Sequence, residues 1–138
     1  MSLYLIGDIG GTNLRFALVE QGRVIREGQQ TWQAQPSLVQ AVRAFLGSDQ
    51  PHAAALSIAA KITPRDVLHM PNVPTTDRQG YYFSRAQVQA ELGLAQLHVF
   101  NDFTAIALAL PYVQAADVCW VGPHQQADTT LPTSAACT

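Results

Sequence analysis

The chain has 138 residues, of which 48% are hydrophobic and 13% are charged; this length fits one domain of ordinary size, and the hydrophobic content excludes a disordered chain. The formal net charge is −2 and Lys61 is the only lysine, so the clustered basic residues that nucleic acid requires are missing and we expect no nucleic-acid partner. No hydrophobic run is long enough to span a bilayer, and the N-terminus lacks the basic segment of a signal peptide, so we expect a cytoplasmic protein without a membrane partner.

The N-terminal quarter of the chain predicts three consecutive strands. Residues 3–7 form a short apolar run that is typical of a buried strand. A turn at residues 10–13 leads into a second strand over 14–20, and a Gln-Gly turn then leads into a third strand over 23–32. Connections this short favour an antiparallel meander.

The middle of the chain predicts one helix and one further buried strand. Pro36 is expected at the first helical position, where its missing N–H costs no hydrogen bond, and Gly47 is expected to end the helix. Small apolar residues over 53–60 indicate a buried strand. Proline, threonine and glycine interrupt residues 62–83, which predicts a short hairpin or an irregular loop.

Two further helices flank the last strand. Ser84 and Gln87 have the spacing of a capping box, and Gly93 is the expected stop of that helix. A strand over 97–100 precedes a helix over 103–110, which a proline follows. The order β-β-β-α-β-α-β-α predicts an α/β fold, a mixed five-stranded sheet with flanking helices.

The C-terminal part of the chain has a different composition. Residues 117–122 could add one more strand. Residues 123–138 are small and polar and include two prolines, so we expect them to form a flexible tail.

The segment Asp8-Ile-Gly-Gly-Thr-Asn, between the first two strands, is the most informative motif. Gly10 and Gly11 allow the main chain to approach a phosphate closely, and the N–H groups of such a turn, with the Thr12 hydroxyl and the Asn13 amide, can hold an anion. Asp8 is placed to bind Mg²⁺ through water, because that ion keeps most of its hydration shell. Alternatively, the two glycines serve only the geometry of a hairpin turn.

A second motif, Asn101-Asp102, follows the last predicted strand. Ligands of open α/β sheets bind outside the carboxyl ends of the strands. Asp102 could there accept a proton from a substrate hydroxyl as general base, and Asn101 could bind the same substrate. Alternatively, Asp102 is simply the N-cap of the next helix.

The predicted topology brings both motifs to one edge of the sheet. Asn72 lies in the interrupted stretch between the fourth and fifth predicted strands, where binding residues are often found. Taken alone, the position favours a plain turn role. The four histidines have no metal-ligand spacing.

Together, YLIGDIGGTNLRFALV near the start and NDFTAIALALP near residue 101 resemble the bacterial glucokinase family. LSIAA near residue 56 and MPN near residue 70 also lie where that family has equivalents. The resemblance covers about residues 3–122. It implies the small lobe of the actin-like, hexokinase-type ATPase fold, which is related to ribonuclease H.

The resemblance also implies a function, ATP-dependent phosphorylation of glucose to glucose 6-phosphate in glycolysis, with ATP and Mg²⁺ as cofactors. Asp8, Gly10, Gly11, Thr12 and Asn13 would then bind the phosphates, with Asp8 acting on the magnesium. Asp102 would be the catalytic base and would bind the sugar together with Asn101 and Asn72.

The chain departs from the family pattern in two places and in length. Ala60-Lys61 replaces a Gly-Pro type turn, and the 72–82 loop looks longer than usual. Family members are more than twice as long. We therefore expect residues 1–111 to be the small lobe, 112–122 the start of the connection and 123–138 a tail, with the large lobe missing and the isolated chain inactive.

Two other functions stay open at this stage. The chain could phosphorylate a different hexose, such as fructose, mannose or an N-acetyl sugar. It could instead be a non-catalytic module that responds to sugar or associates with itself, in a homodimer through the face that the large lobe would cover.

Overall fold

The computed structural model describes residues 2–119. Contacts divide the chain into two units, Met1–Asp102 and Phe103–Thr138. Its strands are β1 (Leu3–Ile9), β2 (Asn13–Glu20), β3 (Arg23–Thr31), β4 (Ala53–Ile58), β5 (Val67–Met70), β6 (Tyr81–Ser84) and β7 (Gln96–Asn101). Its α-helices are α1 (Leu38–Leu46), α2 (Arg85–Glu91) and α3 (Asp102–Ala109).

The first unit contains the predicted mixed sheet of five strands, in the order β3-β2-β1-β4-β7. Strands β1, β2 and β3 form the antiparallel meander. Strands β4 and β7 run parallel to β1, which their helical connections α1 and α2 make possible. The prediction of a mixed five-stranded sheet with flanking helices is therefore confirmed.

One face of this sheet carries the hydrophobic core. Leu5 and Ile9 of β1, with Leu56 of β4, are fully buried, because alternate residues of a strand point to the same face. Helix α1 adds Leu38 and Val42, also fully buried. On the opposite face Tyr4 and Ile6 stay exposed (43% and 42%), so the sheet of this unit is covered mainly on one side.

Helix α1 begins at Leu38, two positions later than the sequence predicted. Ser37 is its N-cap and accepts a hydrogen bond from Gln40 N–H at 3.2 Å. Pro36 thus precedes the cap, and its expected place at the first helical position was wrong, because a serine next to it offers a side-chain acceptor that proline lacks. Gly47 ends the helix with φ +62°, as predicted.

Helix α2 shows half of the predicted capping box. Ser84 Oγ accepts from Gln87 N–H at 3.0 Å, whereas the Gln87 side chain donates to Glu91 at 2.7 Å. At the other end Gly93 has φ +66° and donates to the Ala90 carbonyl. This left-handed residue is the predicted stop.

The interrupted stretch 62–83 contains a hairpin, the first of the two predicted alternatives. Strands β5 and β6 pair antiparallel as a separate two-stranded sheet. Their connection includes Gly80 at φ +78° and Arg78 at φ +59°. Leu68 and Met70 anchor the hairpin in the core with at most 1% of their surface exposed.

The second unit begins with α3, and two short 3-10 helices follow, Leu110–Tyr112 and Ala115–Asp117. The possible strand over 117–122 is not formed in its described part, residues 117–119, because Asp117 N–H donates to the Gln114 carbonyl at 2.9 Å and closes a 3-10 turn. Residues 120–138, including the expected tail, lie outside the described residues. Among the described helices, none has the length and apolarity needed to cross a membrane.

Candidate functional site at the carboxyl edge of the sheet

The sheet register places both sequence motifs at the same edge. Ile9 of β1 pairs with Ile58 of β4, and Ile58 pairs with Asn101 of β7. The residues that follow these three, including Gly10 and Asp102, therefore leave the sheet on one side. Strand β4 alone lies between β1 and β7, and neighbouring strands are about 4.8 Å apart. The glycine turn and Asp102 are therefore about two strand spacings apart along the edge of the sheet.

Trp32 holds the glycine turn, residues 10–13, through two hydrogen bonds. Its indole N–H donates to the Gly10 carbonyl at 2.9 Å, and its backbone N–H donates to the Thr12 carbonyl at 3.3 Å. Gly10 N–H donates to the Asn13 carbonyl at 2.9 Å. The N–H groups of Gly11 and Thr12 have no acceptor among the described residues, which leaves two backbone donors at the turn for an anion.

Trp32 is itself fixed by Tyr81 of the hairpin. Their ring centroids are 4.8 Å apart, and the Tyr81 hydroxyl accepts from Leu38 N–H at 3.0 Å, at the start of α1. Burial raises the pKa of the Tyr81 phenol above its usual value. The hairpin, the first helix and the glycine turn thus support one another through two aromatic side chains.

Backbone geometry explains why glycine occupies position 11. Neither Gly10 nor Gly11 has a positive φ, so a left-handed backbone conformation is not the reason for glycine at either position. Instead a Cβ at Gly11 would lie 2.8 Å from the Asn72 carbonyl oxygen. The glycine permits close approach of the β5–β6 connection, and that approach brings Asn72 to the candidate site.

Asp8 and Arg15 lie opposite each other at the end of the β1–β2 pair. Both side chains are exposed and line one depression with Gly10, Gly11, Thr12 and Asn13. Asp8 Oδ1 accepts from the Ser57 hydroxyl at 3.2 Å. The Arg15 guanidinium makes no ion pair or hydrogen bond within residues 2–119, so a free cation faces the turn.

Asn101 and Asp102 have visible structural roles. Asn101 Nδ2 donates to the Ala60 carbonyl at 2.8 Å and so ties the end of β7 to the residues after β4. Asp102 is the first residue of α3, where a carboxylate is favoured by the helix dipole. A helix-start role and a catalytic role remain compatible, because both place the carboxylate at this edge.

Sequence reasoning missed three contributors to the site. Arg15 and Ser57 could have been found from strand alternation, since each pairs with Asp8 across the sheet. Gln29 could not, because its amide reaches Asn13 Oδ1 at 3.3 Å only through the register of β3. The complete arrangement offers N–H donors, a cation and a carboxylate, which suits an anionic ligand with a bound divalent metal.

Lys61, singled out in the sequence, follows Ala60 beyond the end of β4. It lines a second cleft together with Arg65, His69 and Tyr82. The residues that line this cleft and those that line the glycine-turn depression do not overlap.

A family model described as Glucokinase matches residues 5–135. The glucokinase of Chromohalobacter salexigens is 38% identical over 128 residues, which are 89% of this chain and 38% of that enzyme. The glucokinase of Yersinia pestis is 36% identical over 125 residues, 88% of this chain and 36% of that enzyme. The chain therefore spans little more than a third of the length of these curated relatives.

Solved structures agree with this similarity. A glucokinase from an Antarctic psychrotroph superposes with a TM-score of 0.68 at 28% identity, over 84% of this chain and 37% of that one. A glucokinase from Balamuthia mandrillaris in complex with glucose superposes with a TM-score of 0.55 at 24% identity, over 78% of this chain and 32% of that one, which supports the fold alone. The predicted actin-like ATPase fold is confirmed.

Proposed function

Because this chain belongs to the glucokinase family, we propose that it contributes to the transfer of the γ-phosphoryl group of ATP to the 6-hydroxyl of glucose. The observation that carries the proposal is the register of Ile9, Ile58 and Asn101, because it sets the glycine turn and Asp102 on one rim of the sheet. Residues 1–111 then act as one lobe of a two-lobe kinase, and the phosphates and the sugar bind at this rim.

The glycine turn binds the phosphates of ATP. Gly11 N–H, Thr12 N–H and the Thr12 hydroxyl donate hydrogen bonds to phosphate oxygens, and the Asn13 amide adds a further donor. The Arg15 guanidinium provides the positive charge, and hydrogen bonds between an ionised donor and phosphate are about twice as strong as neutral ones. Phosphoryl transfer depends mainly on such positioning and charge neutralisation.

Asp8 is the residue that would hold Mg²⁺. The donors around it fit that ion, since the Asp8 carboxylate and the Ser57 hydroxyl, 3.2 Å apart, are both oxygen ligands. Within the described residues no group of three or more His, Cys, Asp or Glu side chains forms a metal cage, which suits an ion that retains most of its waters. When bound, Mg²⁺ neutralises charge on the phosphate oxygens.

Asp102 is the general base. Its carboxylate takes the proton from the sugar hydroxyl while that oxygen forms its bond to the γ-phosphorus, and the bond to the β-phosphate oxygen breaks to release ADP. Asn101 and Asn72 bind hydroxyl groups of the sugar. The Asn101 amide is already anchored on the Ala60 carbonyl, so its orientation is set before the sugar arrives.

We further propose that the 138-residue chain on its own does not catalyse the phosphorylation of glucose. Asp8, Thr12 and Asn13 are exposed in it and Gly10 and Gly11 are half-buried, whereas catalysis by positioning requires the phosphates to be clamped from both sides and shielded from water. A coupled assay with glucose and MgATP tests this. A turnover of about 10 per second, a usual enzyme value, would show that the chain is sufficient for catalysis and would refute this proposal.

The main test is a chimera in which this chain replaces the matching 128-residue segment of the Chromohalobacter salexigens glucokinase. We expect glucose-dependent release of ADP from ATP. Mannose, fructose and an N-acetyl hexose are assayed in parallel, and a higher kcat/KM for one of them would replace glucose as the substrate. A well-folded chimera without activity on any hexose would refute the proposed role of these residues.

A further inference from the structure

The cleft beside the β5–β6 hairpin is a second concave site, whose lining residues differ from those of the glycine-turn depression. Its volume is about 440 Å³, within the range of small-molecule sites. Its lining residues are Ala60, Lys61, Thr63, Arg65, Val67, Leu68, His69, Pro71 and Tyr82. Pro71 lines the cleft, whereas its neighbour Asn72 approaches Gly11, so the hairpin connection separates the two sites.

Two cations in this cleft lack a counter-charge. Lys61 and Arg65 are exposed, and neither side chain forms an ion pair or hydrogen bond with any residue of the described part of the chain. No acidic residue lines the cleft. An anion that binds in the cleft is attracted by both positive charges.

The neighbouring carboxylate is committed elsewhere. Asp66, next to Arg65, accepts hydrogen bonds from the Ser84 hydroxyl and from Ala86 N–H, the latter at 2.9 Å. These bonds hold the Asp66 side chain at the start of α2. The Arg65 carbonyl is held as well, because Arg85 Nη2 donates to it at 2.6 Å. The backbone of Arg65 is thus fixed while its guanidinium stays available.

An aromatic wall borders the same cleft. The His69 and Tyr82 rings stack with centroids 4.1 Å apart and planes inclined by 7°. His69 Nε2 lies 2.8 Å from the Gln79 carbonyl oxygen. Since a carbonyl only accepts, the proton resides on Nε2, and in the neutral ring Nδ1 is left as an acceptor. The wall therefore offers a flat apolar surface, one phenol and one acceptor for a hydroxyl group.

We propose that this cleft binds a small organic phosphate. Lys61, Thr63 and Arg65 receive the phosphoryl group, since guanidinium and ammonium groups are the usual protein partners of phosphate. The organic portion packs against the His69–Tyr82 stack. The ligand class is a phosphate monoester, either a sugar phosphate or a nucleotide, and the site is distinct from the glycine turn.

The test is a titration of the isotopically labelled 138-residue chain by two-dimensional amide NMR. Phenyl phosphate is the primary probe, and inorganic phosphate shows what the phosphoryl group alone contributes. Glucose 6-phosphate and AMP then distinguish a sugar phosphate from a nucleotide. We expect saturable shifts at the Lys61, Arg65 and His69 amides below about 20 mM probe, which corresponds to a weak but specific site.

Variants assign the binding to named side chains. The double variant Lys61→Gln, Arg65→Gln should lower the affinity for phenyl phosphate at least about 10-fold. The reason is that the loss of one hydrogen bond to a charged group already lowers affinity by more than about 10-fold. Tyr82→Ala should remove the preference for phenyl phosphate over inorganic phosphate. Arg23→Gln, an exposed arginine at the start of β3, is the matched control and should bind like the parent chain.

Three results would overturn the proposal. The first is a set of shifts confined to residues 10–13, which would assign the anion to the glycine turn alone. The second is unchanged affinity in the double variant while its spectrum remains that of the folded chain. The third is a lack of saturation at the highest probe concentration. If the double variant does not fold, the single variant Lys61→Met tests the same point, and an unchanged affinity for phenyl phosphate in it would overturn the proposal.

Discussion

Gly11 and Asn72 approach so closely that a Cβ on Gly11 would lie 2.8 Å from the Asn72 carbonyl oxygen and 3.0 Å from its Cβ. Through this contact the β5–β6 connection is seated on the turn between β1 and β2. Two segments far apart in the sequence thereby form one rim, and the contact leaves no room for a side chain at position 11.

The first prediction concerns Gly11→Ala. The added methyl group would collide with main-chain atoms, which cannot rotate away, so the turn or the hairpin must shift at a cost of about 1–3 kcal/mol. We expect a lower free energy of unfolding, measured by urea denaturation, together with loss of ATP binding.

Gly47→Ala is the control for that prediction. Gly47 has φ +62° and open space around its Cβ position, so alanine there costs about 1 kcal/mol through backbone strain alone. The control should lose stability and retain ATP binding. Equal effects of both variants on ATP binding would contradict a specific role for the Gly11–Asn72 contact.

The second prediction concerns Asp102→Asn in the chimera. Asparagine keeps the size of the side chain but does not accept the sugar proton, so kcat should fall about 100- to 10,000-fold while the KM for glucose changes little. Asp49→Asn is the control, because Asp49 pairs with Arg26 at an exposed site and such pairs contribute little. A loss below about 10-fold would refute the base assignment.

The third prediction concerns Arg15→Gln in the chimera. Arg15 lines the glycine-turn depression as a cation without a partner in the described residues, so its removal should raise the KM for ATP by about 10- to 100-fold. The KM for glucose should stay within about twofold. Arg23→Gln serves again as the control, and an Arg15→Gln enzyme with parental ATP kinetics would exclude the residue from phosphate binding.

The fourth prediction concerns the pH dependence of stability. The Ser84 hydroxyl and then Ala86 N–H donate to the Asp66 carboxylate and lower its pKa below the usual 3.8. A depressed folded-state pKa stabilises the protein above the unfolded value of about 3.9, and this stabilisation is lost as the pH falls through the folded-state pKa.

Asp66→Asn should therefore lower the Tm at pH 6, and the gap to the parent chain should narrow as the pH falls below about 4. Asparagine can still accept from Ala86 N–H, but its NH2 group cannot accept from the Ser84 hydroxyl, so the variant removes the charge together with that hydrogen bond. Thermal melts between pH 2.5 and pH 6 measure the gap, and a gap that is independent of pH would show that the Asp66 charge has no role.

Local patterns identified the elements, as two helix ends illustrate. Gly47 and Gly93 each have a positive φ at the end of a helix, because glycine lacks the Cβ that disfavours such a backbone and this preference acts within one turn. Pro36 was misplaced by the same kind of reasoning, since the neighbouring Ser37 competes for the start of the helix and offers the acceptor. When two adjacent residues both favour the start of a helix, local rules do not decide which of them the helix uses.

The sequence alone determined the order of strands and helices, the type of sheet and the two segments that meet at its carboxyl edge. These features follow from hydrophobic periodicity and from the residues at the ends of helices and strands, because both kinds of signal act over a few positions. Only the tertiary structure decided why Gly11 is a glycine, that Arg15 has no partner among the described residues and that Lys61 lines a different cleft. Those facts depend on strand register and on contacts between distant segments, and a pattern of neighbouring residues carries no information about either.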